Sequence, residues 1–239
     1  MRYKTIFSDA GDIIIDTRTQ LETEKKVLSK LMNLDPKEAY RLYRPFRQQS
    51  HTLKSIEECF DEFSELHNIG IDYIKFCDIV DSLKPKTRLY DGVVETLVAL
   101  NNYGIDFILL TDSPYTKRES FEMTKREIES YLLNKKSNLV DNIIFENYVK
   151  DIITSKEIGV KKTNPYFFRF VFEKLYPEKN ISESVFVTHK YKEMISAMNC
   201  GIDIIALNWE NEEDSGDIMR LINDGCATHI NTFGDLCEE

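Results

Sequence analysis

"TIFSDAGDII", residues 5–14, is the stretch on which the reading of this chain turns. A short run with two branched residues and a phenylalanine leads to Asp9, turns through Ala10, Gly11 and Asp12, and becomes apolar again at Ile13 and Ile14. Such a run, bounded by turn residues, is the pattern of a strand buried on both faces of a parallel sheet. It delivers the Asp9 carboxylate to the strand's carboxyl end, where open α/β sheets bind their ligands.

Working outward, the run "YKTIFS" (3–8) is joined by "DFILLT" (106–111), "NIIFE" (142–146), "SVFVT" (184–188) and "DIIAL" (203–207). Helical periodicity fills most of the gaps. In "DGVVETLVALNNYG" the residues Val93, Val94, Leu97, Val98 and Leu100 make one apolar face, and Gly104 is a natural stop. "NPYFFRFVFEKLYP" places Pro165 in a first helical turn, and "YKEMISAMNCG" ends on Gly201. Strand alternating with helix predicts an α/β fold built on a doubly wound parallel sheet, formed by residues 1–16 and 87–239. Residues 17–86 break the rhythm. "TQLETEKKVLSKLMNL", "PKEAYRLYRPFRQQS", "SIEECFDEFSELHN" and "DYIKFCDIVDSLK" read as four amphipathic helices inserted directly after the first strand, over its carboxyl edge.

With 239 residues, 42% hydrophobic and 30% charged, the composition is that of a globular protein with one sizeable core plus an insertion. Thirty-one basic against forty-one acidic residues give −10, which disfavours nucleic acid and anionic membrane as partners and leaves a small anionic molecule or a protein. Five scattered cysteines show no zinc or disulfide spacing and fit a reducing compartment. No stretch reaches the ~18 apolar residues of a membrane span, so a cytoplasmic location is expected.

The strand ends nominate Asp9, Gly11 and Asp12; Thr111, Asp112 and Ser113; Lys161 and Lys162; and Thr188 and His189. In the insertion, Arg41, Arg44 and Arg47 recur every third residue with His51 beyond, a stripe that either faces an anionic substrate or forms a solvated helix face. Taken in order, "IFSDAGD", "LYDGVVETLVALNNYGIDFILLTDS", "GVKKTNPYFFRFVFEKL" and "SVFVTHKYKEMISAMNCGIDIIAL" resemble the four motifs of the haloacid dehalogenase-like hydrolases, in the subgroup with a helical cap. The resemblance spans the whole chain and implies a Rossmann-like core. By match it makes Asp9 the nucleophile of a covalent aspartyl intermediate. It gives Thr111 a hydrogen bond to the transferred group and Lys162 the charge that holds nucleophile and phosphoryl group, Lys162 having a better offset from Pro165 than Lys161 has. Asp112, Ser113, Asp12, Gly11 and His189 line the expected substrate pocket.

Three positions depart from that pattern. The family's phosphatases carry a second Asp two residues after the nucleophile to move a proton, where this chain has Gly11, and Ile13 stands where a threonine is usual. The Gly-Asp and later Asp that orient Mg²⁺ become Thr188-His189 and Met194. Asp9 is left as the one conventional side-chain ligand candidate, a weak Mg²⁺ site even with the Gly11 carbonyl. His189 then has three readings: a transition-metal ligand, a base near Asp9, or a neutral imidazole bonded to backbone. Two functions follow from the resemblance and its departures. One is a weakly active or non-catalytic relative that binds a ligand or protein at the Asp9 pocket. The other is an active hydrolase with an Asp9 covalent intermediate, either a phosphatase or a metal-free dehalogenase-like enzyme on a small anionic substrate.

Overall fold

A computed structural model describes residues 2–83, 89–134 and 148–238. The first strand, β1 (Thr5–Asp9), is followed by α1 (Thr17–Met32), α2 (Pro36–Ser50), α3 (Ile56–Leu66) and α4 (Tyr73–Leu83). Then come α5 (Val93–Asn102), β2 (Asp106–Thr111), α6 (Lys117–Asn134), β3 (Asp151–Thr154) and the single turn α7 (Ser155–Ile158). The remainder is α8 (Pro165–Phe170), a π-turn, β4 (Ser184–Thr188), α9 (Tyr191–Met198), β5 (Asp203–Ala206), α10 (Ser215–Asn223) and β6 (Thr228–His229).

The strands form one parallel sheet in the order β3-β2-β1-β4-β5-β6. Side chains alternate across it as the two-residue period of a strand requires. Ile6, Phe107, Leu109, Val185 and Val187 enter a core on one face, and Phe7, Ile108, Leu110 and Phe186 enter a second core on the other. Both faces are therefore covered, which explains why these strands read as unbroken apolar runs. Because the chain winds outward from β1 through β2 to β3 and then returns to β4 on the opposite side, β1 and β4 flank the point where the winding reverses. A crevice opens there at the carboxyl ends, next to Asp9 and Thr188.

The four helices of the insertion have a core of their own, in which Tyr43, Phe60, Phe63 and Phe76 pack with Val27 and Leu28, Phe60 stacking on Phe76 and meeting Tyr43 edge-on. Their starts are fixed locally. Asp16 accepts from the Thr19 amide, Asp35 precedes Pro36 and accepts from Lys37, and Ser55 and Glu58 form a reciprocal capping box.

The run 142–146 lies outside the described residues. The described third strand is Asp151–Thr154, too short and too closely flanked by Lys150 and Asp151 to stand out as an apolar run. β6, only two residues long, has no sequence signal either. Among the described residues no helix is long and apolar enough to cross a membrane.

Candidate functional site

Asp9 ends the middle strand and is 2% exposed. The turn after it is tight: Ile14 and Ile15 both donate to the Ala10 carbonyl, and Asp12 takes a φ of 59°, a left-handed conformation that aspartate tolerates better than most residues. Asp12 is tied to the helix that follows. Its Oδ1 accepts from the Thr17 and Arg18 amides at 2.9 and 3.1 Å, holding the start of α1. At Gly11 a Cβ would meet the Thr17 Cγ2 and Oγ1 at 3.2 Å, so a side chain there would require Thr17 to give by a few tenths of an ångström.

Lys162, fully buried, reaches Asp9 from beyond β3. Its Nζ lies 2.5 Å from Asp9 Oδ1, 3.1 Å from Glu193 Oε2, and donates to the Leu110 carbonyl at 3.1 Å. Its position is set by Asp112, whose Oδ1 accepts from the Lys162 amide at 3.0 Å. Burial pushes the Asp112 pKa up, with Lys162 opposing the rise. Thr111 is half-buried at the end of β2, and its hydroxyl makes no hydrogen bond among the described residues. Ser113 belongs to the turn into α6, accepting from the Tyr115 amide and the Ser120 hydroxyl.

β4 brings three further groups. His189, 2% exposed, points Nε2 at Asp9 Oδ2 over 3.5 Å and Nδ1 at Glu212 Oε1 over 2.9 Å. Lys190 places Nζ 3.2 Å from Asp9 Oδ2 and 3.6 Å from Glu193 Oε1. Glu193, on the first turn of α9, is 1% exposed and also accepts from the Thr188 hydroxyl at 2.9 Å. The expectation that the fourth motif brings no acid is corrected here. Met194 does turn into the core at 0% exposure, but the preceding residue, four after His189, carries a carboxylate into the site.

The electrostatics follow from this crowding. Burial opposes the charge on Asp9, yet the Lys162 and Lys190 ammoniums and His189 outweigh it and hold the carboxyl well below its ordinary pKa. Burial likewise opposes the charges on Lys162 and Lys190, and Asp9 and Glu193 override it, leaving both pKa values raised. For His189, the facing Asp9 carboxylate and the hydrogen bond to Glu212 overcome burial and raise its pKa. Glu212 is tied in turn to Arg18 at 2.8 Å, so α1 of the insertion is joined to the loop after β5. Among the described residues no three His, Cys, Asp or Glu side chains converge as a metal ligand set would.

The arginine stripe divides. Arg41 and Arg44 are exposed, whereas Arg47 pairs with Glu24 at 3.3 Å and donates to Tyr40. His51 faces the core, where burial and then Lys161, Arg47, Lys190 and Lys156 push its pKa down to about 3, keeping it neutral. The insertion also meets the core through the Tyr73–Tyr115 hydroxyl pair at 2.9 Å and through Ser155, which donates to the His51 carbonyl.

Asp9, Lys162 and His189 are thus brought together, with Asp112 one bond behind them, while Asp12 and Ser113 serve their own turns. Sequence reasoning missed Lys190, Glu193 and Glu212. The available signal was the charge-dense "THKYKE" directly after the fourth strand.

The fold is that of the haloacid dehalogenase-like hydrolases. A phosphatase of this class from Thermococcus onnurineus superposes with a TM-score of 0.62 at 17% identity, over 98% of this chain and 96% of that one. The 2-haloacid dehalogenase of Pseudomonas syringae gives 0.58 at 14%, over 99% and 97%. An enzyme of the same class from Bacteroides thetaiotaomicron, in complex with magnesium and inorganic phosphate, gives 0.59 at 18%, over 85% and 93%. No family model and no curated protein matches the sequence.

Proposed function

We propose that this chain uses the hydrolase fold to bind a small anionic molecule at the Asp9 edge of the sheet, and that as a magnesium-dependent phosphatase it is weakly active or inactive. The observation that carries this reading is that no carboxylic acid stands two residues after Asp9, where the resemblance calls for one. Position 11 is glycine, and a side chain there would crowd Thr17 at 3.2 Å. General acid–base catalysis contributes about 10²–10⁴-fold, and neither Asp12 nor Thr17 supplies it toward Asp9. The cationic surroundings of the insertion-facing edge, with Lys190, Lys161 and Lys156 near His51, favour an anion over a neutral ligand. The test is thermal stability with Mg²⁺ and beryllofluoride, which mimics a phospho-aspartate, with Asp9→Asn as control. No Asp9-dependent rise is expected; a saturable rise lost in Asp9→Asn overturns the reading.

A second reading has its own support in the His189–Glu212 pair. In a metal-free hydrolase, an Asp9 oxygen attacks a carbon and the leaving group departs as an anion, creating an ester. That ester no longer carries the Asp9 charge that favours imidazolium, so His189, oriented by Glu212, is freed to take a proton from water attacking the carboxyl carbon. A single turnover of 2-haloacids in ¹⁸O water, with chelator present, labels Asp9 under this reading and leaves it unlabelled otherwise.

A further inference from the structure

We infer that Lys190 is a tethered cation, its ammonium standing between Asp9 and Glu193 where a divalent metal would otherwise bridge them. This inference rests on the proposed metal-independent character of the site and gives it a cause.

Four charged side chains form a closed ring of alternating sign. Asp9 Oδ1 meets Lys162 Nζ at 2.5 Å, Lys162 meets Glu193 Oε2 at 3.1 Å, Glu193 Oε1 meets Lys190 at 3.6 Å, and Lys190 returns to Asp9 Oδ2 at 3.2 Å. Two carboxylates and two ammoniums sum to zero. Every carboxylate oxygen in the ring faces a cation, and three of the four side chains are at most 3% exposed. Such a ring satisfies the rule that buried charge must be paired. Lys190 completes it by construction, because it is the residue immediately before α9 and two positions past the end of β4.

Magnesium does not fit these residues as they stand. It requires near-octahedral oxygen ligation with no ammonium competing for the same oxygens, and the second side chain facing Asp9 Oδ2 is an imidazole held by Glu212. A divalent ion would add two positive charges to a neutral cluster. Removing the Lys190 ammonium changes that: the ring falls to −1, and Asp9 Oδ2 and Glu193 Oε1 lose their shared partner while Lys162 still holds the other oxygen of each. The side chain of Lys190 is 43% exposed, so its replacement leaves the core packing undisturbed.

The experiment titrates Mg²⁺, and Mn²⁺ as a paramagnetic probe, into the full chain as wild type, Lys190→Met, Lys190→Ala, Lys190→Arg and Asp9→Asn/Lys190→Met, reading thermal stability and water-proton relaxation. Wild type and Lys190→Arg are expected to show no saturable binding. Lys190→Met and Lys190→Ala are expected to gain it, with a midpoint rise of about 3–5 °C at ten times Kd, and the double variant to lose it. Two neutral variants of different volume keep the test readable if one folds poorly. No gain in any well-folded Lys190 variant overturns the inference and leaves the proposed function standing. Asp9-dependent Mg²⁺ binding by the wild type overturns the inference, and if beryllofluoride adds to it, the proposed function falls as well.

Discussion

Lys162→Met keeps the length of the side chain and removes its charge, and it addresses the most heavily buried ion pair in the protein's site. Lys162 is 0% exposed, with Asp9 at 2.5 Å and Glu193 at 3.1 Å, so solvent screens little of the interaction. Without it two buried carboxylates share the half-exposed Lys190, and the Leu110 carbonyl loses a donor. Breaking a buried pair by removing one partner costs about 3–5 kcal/mol. In a chain of this size, that corresponds to a drop of roughly 10 °C in the unfolding midpoint. The sign of the pH dependence follows from Asp9, whose folded pKa is lowered: its stabilising contribution is complete above the unfolded value of about 3.9 and is lost as pH falls through the lower folded one. In Lys162→Met the Asp9 pKa rises, so protonation relieves the stranded charge. The gap between wild type and variant is therefore widest near neutrality and narrows toward about pH 4. Thermal and urea melts followed by circular dichroism at both pH values measure it. Asp9→Asn/Lys162→Met should be less destabilised than the two single variants summed. A gap below about 1 kcal/mol, or one independent of pH, would refute the buried-pair reasoning.

Restoring an acid by Gly11→Asp is expected to destabilise by about 1–3 kcal/mol because of the Thr17 contact at 3.2 Å, with no phosphatase activity gained. Thr17→Ala added to it should recover much of that loss in urea melts. Glu212→Gln removes a charge that supports imidazolium, so the His189 pKa, followed by NMR, should fall toward its ordinary value of about 6.5; an unchanged titration contradicts the Nδ1 contact at 2.9 Å. Wild-type stability gained from His189 should accordingly be full below about pH 6.5 and disappear as pH rises through the raised folded value. Ser55→Ala opens the capping box of α3 and should cost about 1 kcal/mol, read as a lower melting midpoint.

The elements legible in sequence were those whose signal is local. Apolar runs of five or six residues marked β1, β2, β4 and β5, and helical periodicity marked the four helices of the insertion, whose starts the structure places within two residues. β3 was not legible, because its two isoleucines follow the charged pair Lys150-Asp151, make too short an apolar run, and gain their strand character only from pairing with β2. Within the site, Asp9 was legible from its place after an apolar run, and Lys162 from its offset to Pro165. Lys190 and Glu193 look like ordinary solvated charges at the start of a helix. Only the return of α9 over the end of β4 turns them toward Asp9. Glu212 lies 23 residues beyond His189 in an acidic stretch, and nothing local distinguishes it from Glu210 or Glu213.

The central place of β1 bears on the order of assembly. It precedes every other described strand in the chain, yet Thr5 pairs with Asp106 on one side and Ser184 on the other. During synthesis it emerges long before either neighbour exists, carrying unpaired backbone on both edges. The four helices that follow depend on near-neighbour contacts and own a separate aromatic core, so they can collapse while the strand waits. Completion of the sheet, and with it the meeting of Lys162 and Lys190 on Asp9, falls to the last third of the chain, which makes the charged ring a late event in the life of each molecule.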